Sequence, residues 1–221
     1  FQGLSDIFAG LIVSKTYTLK DKVPALFIEH KLENVSNQPV ETGIWSTNYF
    51  RIAGLLPERN KYYTPTTEGL QEVLHPGKDA APGAIWTLSP SSNWKGIVGE
   101  TSRSGVVIIF EEKDLSNFMD WHSIEKTSTF EWVINQQKLN PKDIFKTRYV
   151  IMPVEGYDRI DDVMGSRIVC SIEYPDAQIK IGEEVEVRYK LTGYENDVLK
   201  LRAKIKSGEK TLKESVLDKV K

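Results

Sequence analysis

An all-β, antiparallel fold is what this sequence predicts, and three features say so. Short runs of alternating apolar and polar residues recur along the chain, Gly, Pro, Asn and Asp bound them, and the apolar spacing of three and four that marks a helix is scarce. The 221 residues suffice for one large β domain or two smaller ones. Apolar residues at 40% and charged residues at 27% supply both a core and a solvated surface.

Taken in order, the first candidate strand is 11–19. Leu26, Ile28 and Leu32 then alternate with Phe27, Glu29, Lys31 and Glu33, and the run stops at 34–39, Asn-Val-Ser-Asn-Gln-Pro, a turn by composition. The next strand starts near Val40 and passes through Trp45 toward Ile52, and 84–88, 96–100, 105–111, 127–135 and 145–153 follow. The stretch 55–82, with Pro57, Pro65, Pro76 and Pro82, reads as a long loop, and such loops in compact domains are often functional. The best helical signal, one or two turns, lies at 156–164.

After Cys170 the alternation sharpens. Val185, Val187, Tyr189 and Leu191 alternate with charged residues, as do Leu199, Leu201, Ala203 and Ile205, giving two strands with one buried face each. With Tyr174-Pro175-Asp176 and Ile181-Gly182-Glu183-Glu184, this stretch resembles the opening of an immunoglobulin-like sandwich, although about 50 residues are half of what such a sandwich uses. The expected organisation is therefore a remnant of a cleaved tag at 1–3 (Phe1-Gln2-Gly3), a large β domain over 4–166, and an immunoglobulin-like module, whole or cut, over 167–221.

Charge and composition narrow the partners. A formal net charge of -2, with no long block of one sign, lacks the basic surface that phosphate backbones demand, so no nucleic acid is expected. Apolar runs such as 106–110 fall far short of the roughly 20 residues of a membrane-crossing helix, so no membrane span is expected. One cysteine, Cys170 within Ile168-Val169-Cys170, permits neither an internal disulfide nor a cysteine zinc cluster and reads as a small buried hydrophobe. His30, His75 and His122 are too far apart for a local metal motif, so no metal or cofactor is expected. Asn34-Val35-Ser36 fits the N-glycosylation acceptor pattern.

Several segments together carry a family resemblance. The strand 27–34, ending Leu32-Glu33-Asn34, is followed by Ile44-Trp45-Ser46-Thr47-Asn48-Tyr49-Phe50, then by Glu131-Trp132, Leu139-Asn140-Pro141-Lys142-Asp143, and a strand through Met152-Pro153 to Gly156. Over residues 11–163 this resembles the galactose-mutarotase-like supersandwich. The resemblance implies a large curved antiparallel sheet that offers a concave face to carbohydrate, in a group holding aldose epimerases, polysaccharide lyases, domains of glycoside hydrolases and inactive sugar binders. Its epimerases carry an Asn-His-x-Tyr-Phe strand whose histidine is the general acid. Thr47 stands at that place here, and a hydroxyl does not exchange protons near neutral pH as imidazole does.

The side chains able to do chemistry are few. His30 shares parity with Leu26, Ile28 and Leu32, the placing of a hydrogen-bonded core or rim residue. His75 reads as solvated in the long loop, and His122, after Asp120-Trp121 in a turn-like stretch, is placed to face a sugar. Glu131 sits mid-strand between two aromatics; in a cleft it suits acid–base work, and in water it is an ordinary strand carboxylate. No catalytic pair is assigned. The five tryptophans, with Tyr49, Tyr62 and Tyr63, can stack on pyranose rings or pack a core, and Trp94, in a serine-rich loop, is the least core-like.

The expected function is a non-catalytic or auxiliary carbohydrate-binding domain of a larger extracellular or cell-surface protein. Stacking and hydrogen bonds from Trp45, Thr47, Tyr49, Arg51, Trp121, His122, Glu131 and Trp132 would hold the saccharide. Two alternatives stand beside it: an active carbohydrate enzyme (epimerase, lyase or hydrolase) using Glu131 with a histidine, and a structural β module whose sheets bind only protein. The C-terminal module is the candidate for protein partners.

Overall fold

The computed structural model describes residues 2–4, 10–52, 59–75, 83–111, 114–122, 128–173, 186–193, 199–207 and 210–220. Strands dominate them, every pairing is antiparallel, and no helix is long and apolar enough to cross a membrane. The larger sheet has eight strands in the order β1 (Gln2–Leu4), β2 (Leu11–Leu19), β3 (Leu26–Asn34), β12 (Ile144–Glu155), β9 (Ser104–Phe110), β8 (Trp94–Gly99), β5 (Asn60–Thr66) and β6 (Gly69–His75). A four-stranded sheet packs on it, in the order β4 (Val40–Asn48), β11 (Ser128–Leu139), β10 (Leu115–His122) and β7 (Gly83–Leu88). A small sheet of β13 (Asp162–Met164), β14 (Ile168–Glu173) and β15 (Arg188–Gly193) follows, and then a hairpin of β16 (Leu199–Ser207) and β17 (Lys210–Val220).

Period-two alternation builds two cores on one sheet. Ile97, Ile108, Phe110 and Tyr149 point from the large sheet toward Phe118, Phe130 and Trp132 of the four-stranded one. From the opposite face of β8, β9 and β12, Trp94, Val107 and Met152 pack on Tyr157, Ile160, Val163 and Val169. The centre of the large sheet is thus covered on both sides, and each residue of β8 is buried. Cys170 lies buried beside this second core, where desolvation pushes its thiol up to about 11.

Several sequence expectations give way here. The long loop expected over 55–82 holds the hairpin of β5 and β6 instead. Pro65 is tolerated because the pairing of β5 with β8 stops at Tyr63, and its carbonyl still accepts from Ser91 N at 3.3 Å. Trp94 begins β8 in the core rather than sitting on a loop. Residues 156–161 contain no helix, and 162–164 form β13. Gln2 and Gly3, whatever their origin, pair with Ser14 and Val13. The β13–β14 hairpin crosses the boundary expected after residue 166, with Val163 and Val169 in one core. The immunoglobulin-like motif at 180–184 lies outside the described residues.

Asn34 is buried, and its amide Nδ2 donates to Gln38 O at 2.8 Å and Leu139 O at 2.9 Å. Committed to tying two turns together, it is a poor acceptor for the glycan its sequence pattern suggests.

Close approach explains two glycines. A β-carbon at Gly105 would run into the Ile97 carbonyl oxygen and stand 3.0 Å from Val98 Cα, whereas one at Gly96 would meet only the tip of Ile160, Cδ1, at 2.5 Å. Backbone does not yield as a side-chain end does, so Gly105→Ala is expected to cost roughly 2–3 kcal/mol and Gly96→Ala well under half of that. Urea denaturation of the two variants checks the order.

Candidate functional site

The outer face of the four-stranded sheet carries all three exposed indoles. Register sets Thr47, Glu131, Met119 and Trp86 in one cross-strand row from β4 to β7. Trp45 stands in the next row opposite Val133, and Trp121, opposite Thr129, in the row on the other side. Trp45, Trp86 and Trp121 are 58%, 46% and 48% exposed. Trp45 and Trp86 start from the two edge strands, roughly 14 Å apart by strand spacing. Their rings nevertheless meet edge to face at 5.6 Å, so they lean toward each other above Glu131 and Met119.

Glu131, only 5% exposed, is held by donors alone: Trp45 Nε1 to Oε2 at 2.6 Å, Thr47 Oγ1 to Oε2 at 3.0 Å, and Thr129 Oγ1 to Oε1 at 2.5 Å. These three bonds fix both the carboxylate and the indole above it. They also leave it little spare capacity as a general base. Because β4 and β11 put Thr47 and Glu131 opposite each other, Thr47 serves as a positioning donor to the carboxylate.

Of the eight residues expected to hold a saccharide, Trp45, Thr47, Trp121 and Glu131 come together on this face. Tyr49 and Arg51 follow the end of β4 and are exposed. Trp132 and His122 are corrections. Both are fully buried, on the inward face of their strands, because each is the chain neighbour of an outward residue and side chains alternate along a strand. Trp86, Met119 and Thr129 were not in the expected set; only strand order and register place them here.

Beneath the face, between the sheets, lies a polar layer. Lys95 on β8 is buried, its Nζ 2.7 Å from Asp120 Oδ1, 3.2 Å from Met119 O, and over the Phe130 ring at 4.7 Å. Burial lowers the Lys95 pKa and raises that of Asp120, while their mutual attraction opposes both shifts; the Glu131 charge also raises Asp120. His75 is no loop residue: it stacks on His122 at 4.3 Å, and the Ser128 hydroxyl lies 2.7 Å from His75 Nδ1 and 2.8 Å from His122 Nδ1. His30 stacks on Tyr149, with Nε2 at 3.3 Å from its hydroxyl. Burial above all takes each of the three imidazoles down to about 4. Among the described residues no group of three or more His, Cys, Asp or Glu is placed to hold a metal ion.

Two grooves open elsewhere. One of about 430 Å3 lies between the β5–β6 turn and β7, with Trp86 in its wall beside Thr66, Glu68 and Gln71. Another, of about 490 Å3, lies on the far side of the large sheet, lined by Thr16, Phe27, Glu29 and Arg148 among others. There the Arg148 hydrogen bond holds the Glu29 carboxyl below its ordinary value.

No protein-family model and no curated protein matches the sequence. Solved structures do match in shape. A proposed aldose 1-epimerase from Escherichia coli K12 superposes with a TM-score of 0.50 at 11% identity, over 70% of this chain and 64% of its own. The likeness, at 11% identity, is one of fold, in line with the resemblance to galactose-mutarotase-like proteins read from the sequence. A TPR-domain containing protein from Parabacteroides distasonis gives a TM-score of 0.52 at 14% identity, over 80% of this chain and 34% of its own. A galactose mutarotase related enzyme from Lactobacillus acidophilus gives 0.46 at 12% identity, over 67% and 63%. The chain thus spans from 34% to 64% of the length of these three structures.

Two outcomes follow from the buried layer. Lys95→Met strands the Asp120 carboxylate and is expected to cost roughly 3–5 kcal/mol, whereas Lys95→Met with Asp120→Leu recovers most of it, as measured by chemical denaturation. The three imidazoles have folded values near 4 against an ordinary 6.5, so the unfolded chain binds more protons between those limits. Their contribution is complete above about pH 6.5 and is lost as pH falls toward about 4. His30→Phe keeps the ring against Tyr149 and removes one titration, so its melting temperature declines less steeply over that window.

Proposed function

We propose that this chain is a carbohydrate-binding domain without catalysis, which holds a saccharide on the outer face of the four-stranded sheet. The observation that carries the reading is the set of exposed indoles, Trp45, Trp86 and Trp121, grouped around one hydrogen-bonded carboxylate. Indole faces are apolar enough to stack on the C–H faces of a pyranose and polar enough at the ring edge to stay wet. Thr47, Asn117 and the edge of Glu131 offer hydroxyl partners beside them.

The enzyme alternative needs Glu131 and an imidazole in one cleft. His122 is bonded to Ser128 and His30 to Tyr149, both within the inter-sheet layer, while Glu131 lies on the outward side of its strand. A purely structural face would be aliphatic, whereas this one carries indoles, threonines and a carboxylate. The name of one fold neighbour, a proposed aldose 1-epimerase, supports a sugar ligand. A role within a larger extracellular or cell-surface protein fits it, and protein contacts would fall to the C-terminal strands.

Trp45→Ala and Trp86→Ala are each expected to lower affinity for a bound glycan roughly five- to a hundredfold, by analogy with a nucleic-acid base stacked on one aromatic, worth ~1–3 kcal/mol. Their far-ultraviolet circular dichroism should stay unchanged, because both rings are substantially exposed. A glycan array followed by calorimetry checks this. Silence of the parent chain across all glycans would overturn the proposal.

A further inference from the structure

The charges around the indoles narrow the class of saccharide, given the carbohydrate-binding reading above. Beneath Trp45 lies Glu131, and through the same sheet Asp120 is near enough to feel its charge. Lys95, the cation facing them, is engaged with Asp120. Two carboxylates thus stand against one ammonium, buried where solvent screens little.

Along the row from Thr47 to Trp86, and in the groove that Trp86 walls, the described residues include no lysine or arginine. Arg51 lies past the end of β4, and Lys138 pairs with Glu41 beyond the β11 bulge. The groove adds a third carboxylate, Glu68, exposed at the β5–β6 turn, with Thr66, Gln71 and Thr87. Thr66 Oγ1 organises that turn by donating to Gly69 O at 2.7 Å and accepting from Glu68 N at 3.2 Å. Indole faces, negative by their quadrupole, attract cations as carboxylates do. The face and the groove, joined at Trp86, therefore favour positive charge and disfavour uronic acids.

We propose that the saccharide held here is an oligomer of amino sugars bearing free, protonated amines, stacked on Trp45 and Trp86 and continuing past Trp86 so that a further amine meets Glu68. N-acetylation would remove the charge that Glu131 and Glu68 select.

Calorimetry near about pH 6, where such amines are protonated, compares short glucosamine oligomers with their fully N-acetylated counterparts and with neutral glucose oligomers. The amine oligomers are expected to bind at least about tenfold more tightly, an advantage that shrinks as salt is added. Glu68→Gln, at an exposed position, should lower the ratio of amine to N-acetyl affinity by roughly two- to fivefold. Equal or tighter binding of the acetylated or neutral oligomers overturns the amine preference but leaves carbohydrate binding standing. A ratio unchanged in Glu68→Gln overturns the extension into the groove, and failure of every saccharide overturns both readings.

Discussion

The Lys95 ammonium is the pin on which the two sheets are fastened. It enters from β8 of the large sheet and ends among groups of the four-stranded one: the Asp120 carboxylate, the Met119 carbonyl, and the rings of Phe118 and Phe130. Desolvating such a charge is costly, and only a partner in good geometry offsets it. That requirement dictates which side of β10 faces inward, and period two then turns Met119 and Trp121 outward. β11 follows by register, placing Glu131 under the indoles. The face is thus set by a charge pair on the other side of its own sheet.

Much of the architecture was legible because most strands have one wet side. The alternation at 26–34 marks β3, and the expected bounds of β2 match the observed ones. Legibility fails where both sides are dry. Tyr62, Tyr63, Thr64 and Pro65 are buried in succession on β5, as are all residues of β8, so no alternation signals them. The same loss hid Trp94 in an apparent loop. His75 and His122 were misjudged for a different reason, since a single sequence does not say which strand ends converge on Ser128.

Half of the expected site could have been improved from the sequence itself. Glu131 with Trp132, and Trp121 with His122, are chain neighbours on strands and so face opposite ways. Taking one from each pair, with the polar parity of Thr129, Glu131 and Val133 as a guide, selects the outward set. Trp86 was harder: its neighbours in parity, Ala84 and Leu88, read as a buried side, yet β7 is an edge strand and Leu88 is exposed. Thr47, singled out in the sequence by the resemblance alone, has a structural use as a donor to Glu131.

The sorting of the tryptophans has an optical consequence. Trp45, Trp86 and Trp121 stand in water, while Trp94 and Trp132 are sealed in separate cores on either side of the large sheet. Emission from the chain is therefore a sum of a red-shifted, quencher-accessible population and a blue-shifted, protected one. Anything that settles on the outer sheet touches the first and spares the second, whereas loosening of the interior does the reverse, so the protein's own fluorescence separates occupancy from unfolding without a label.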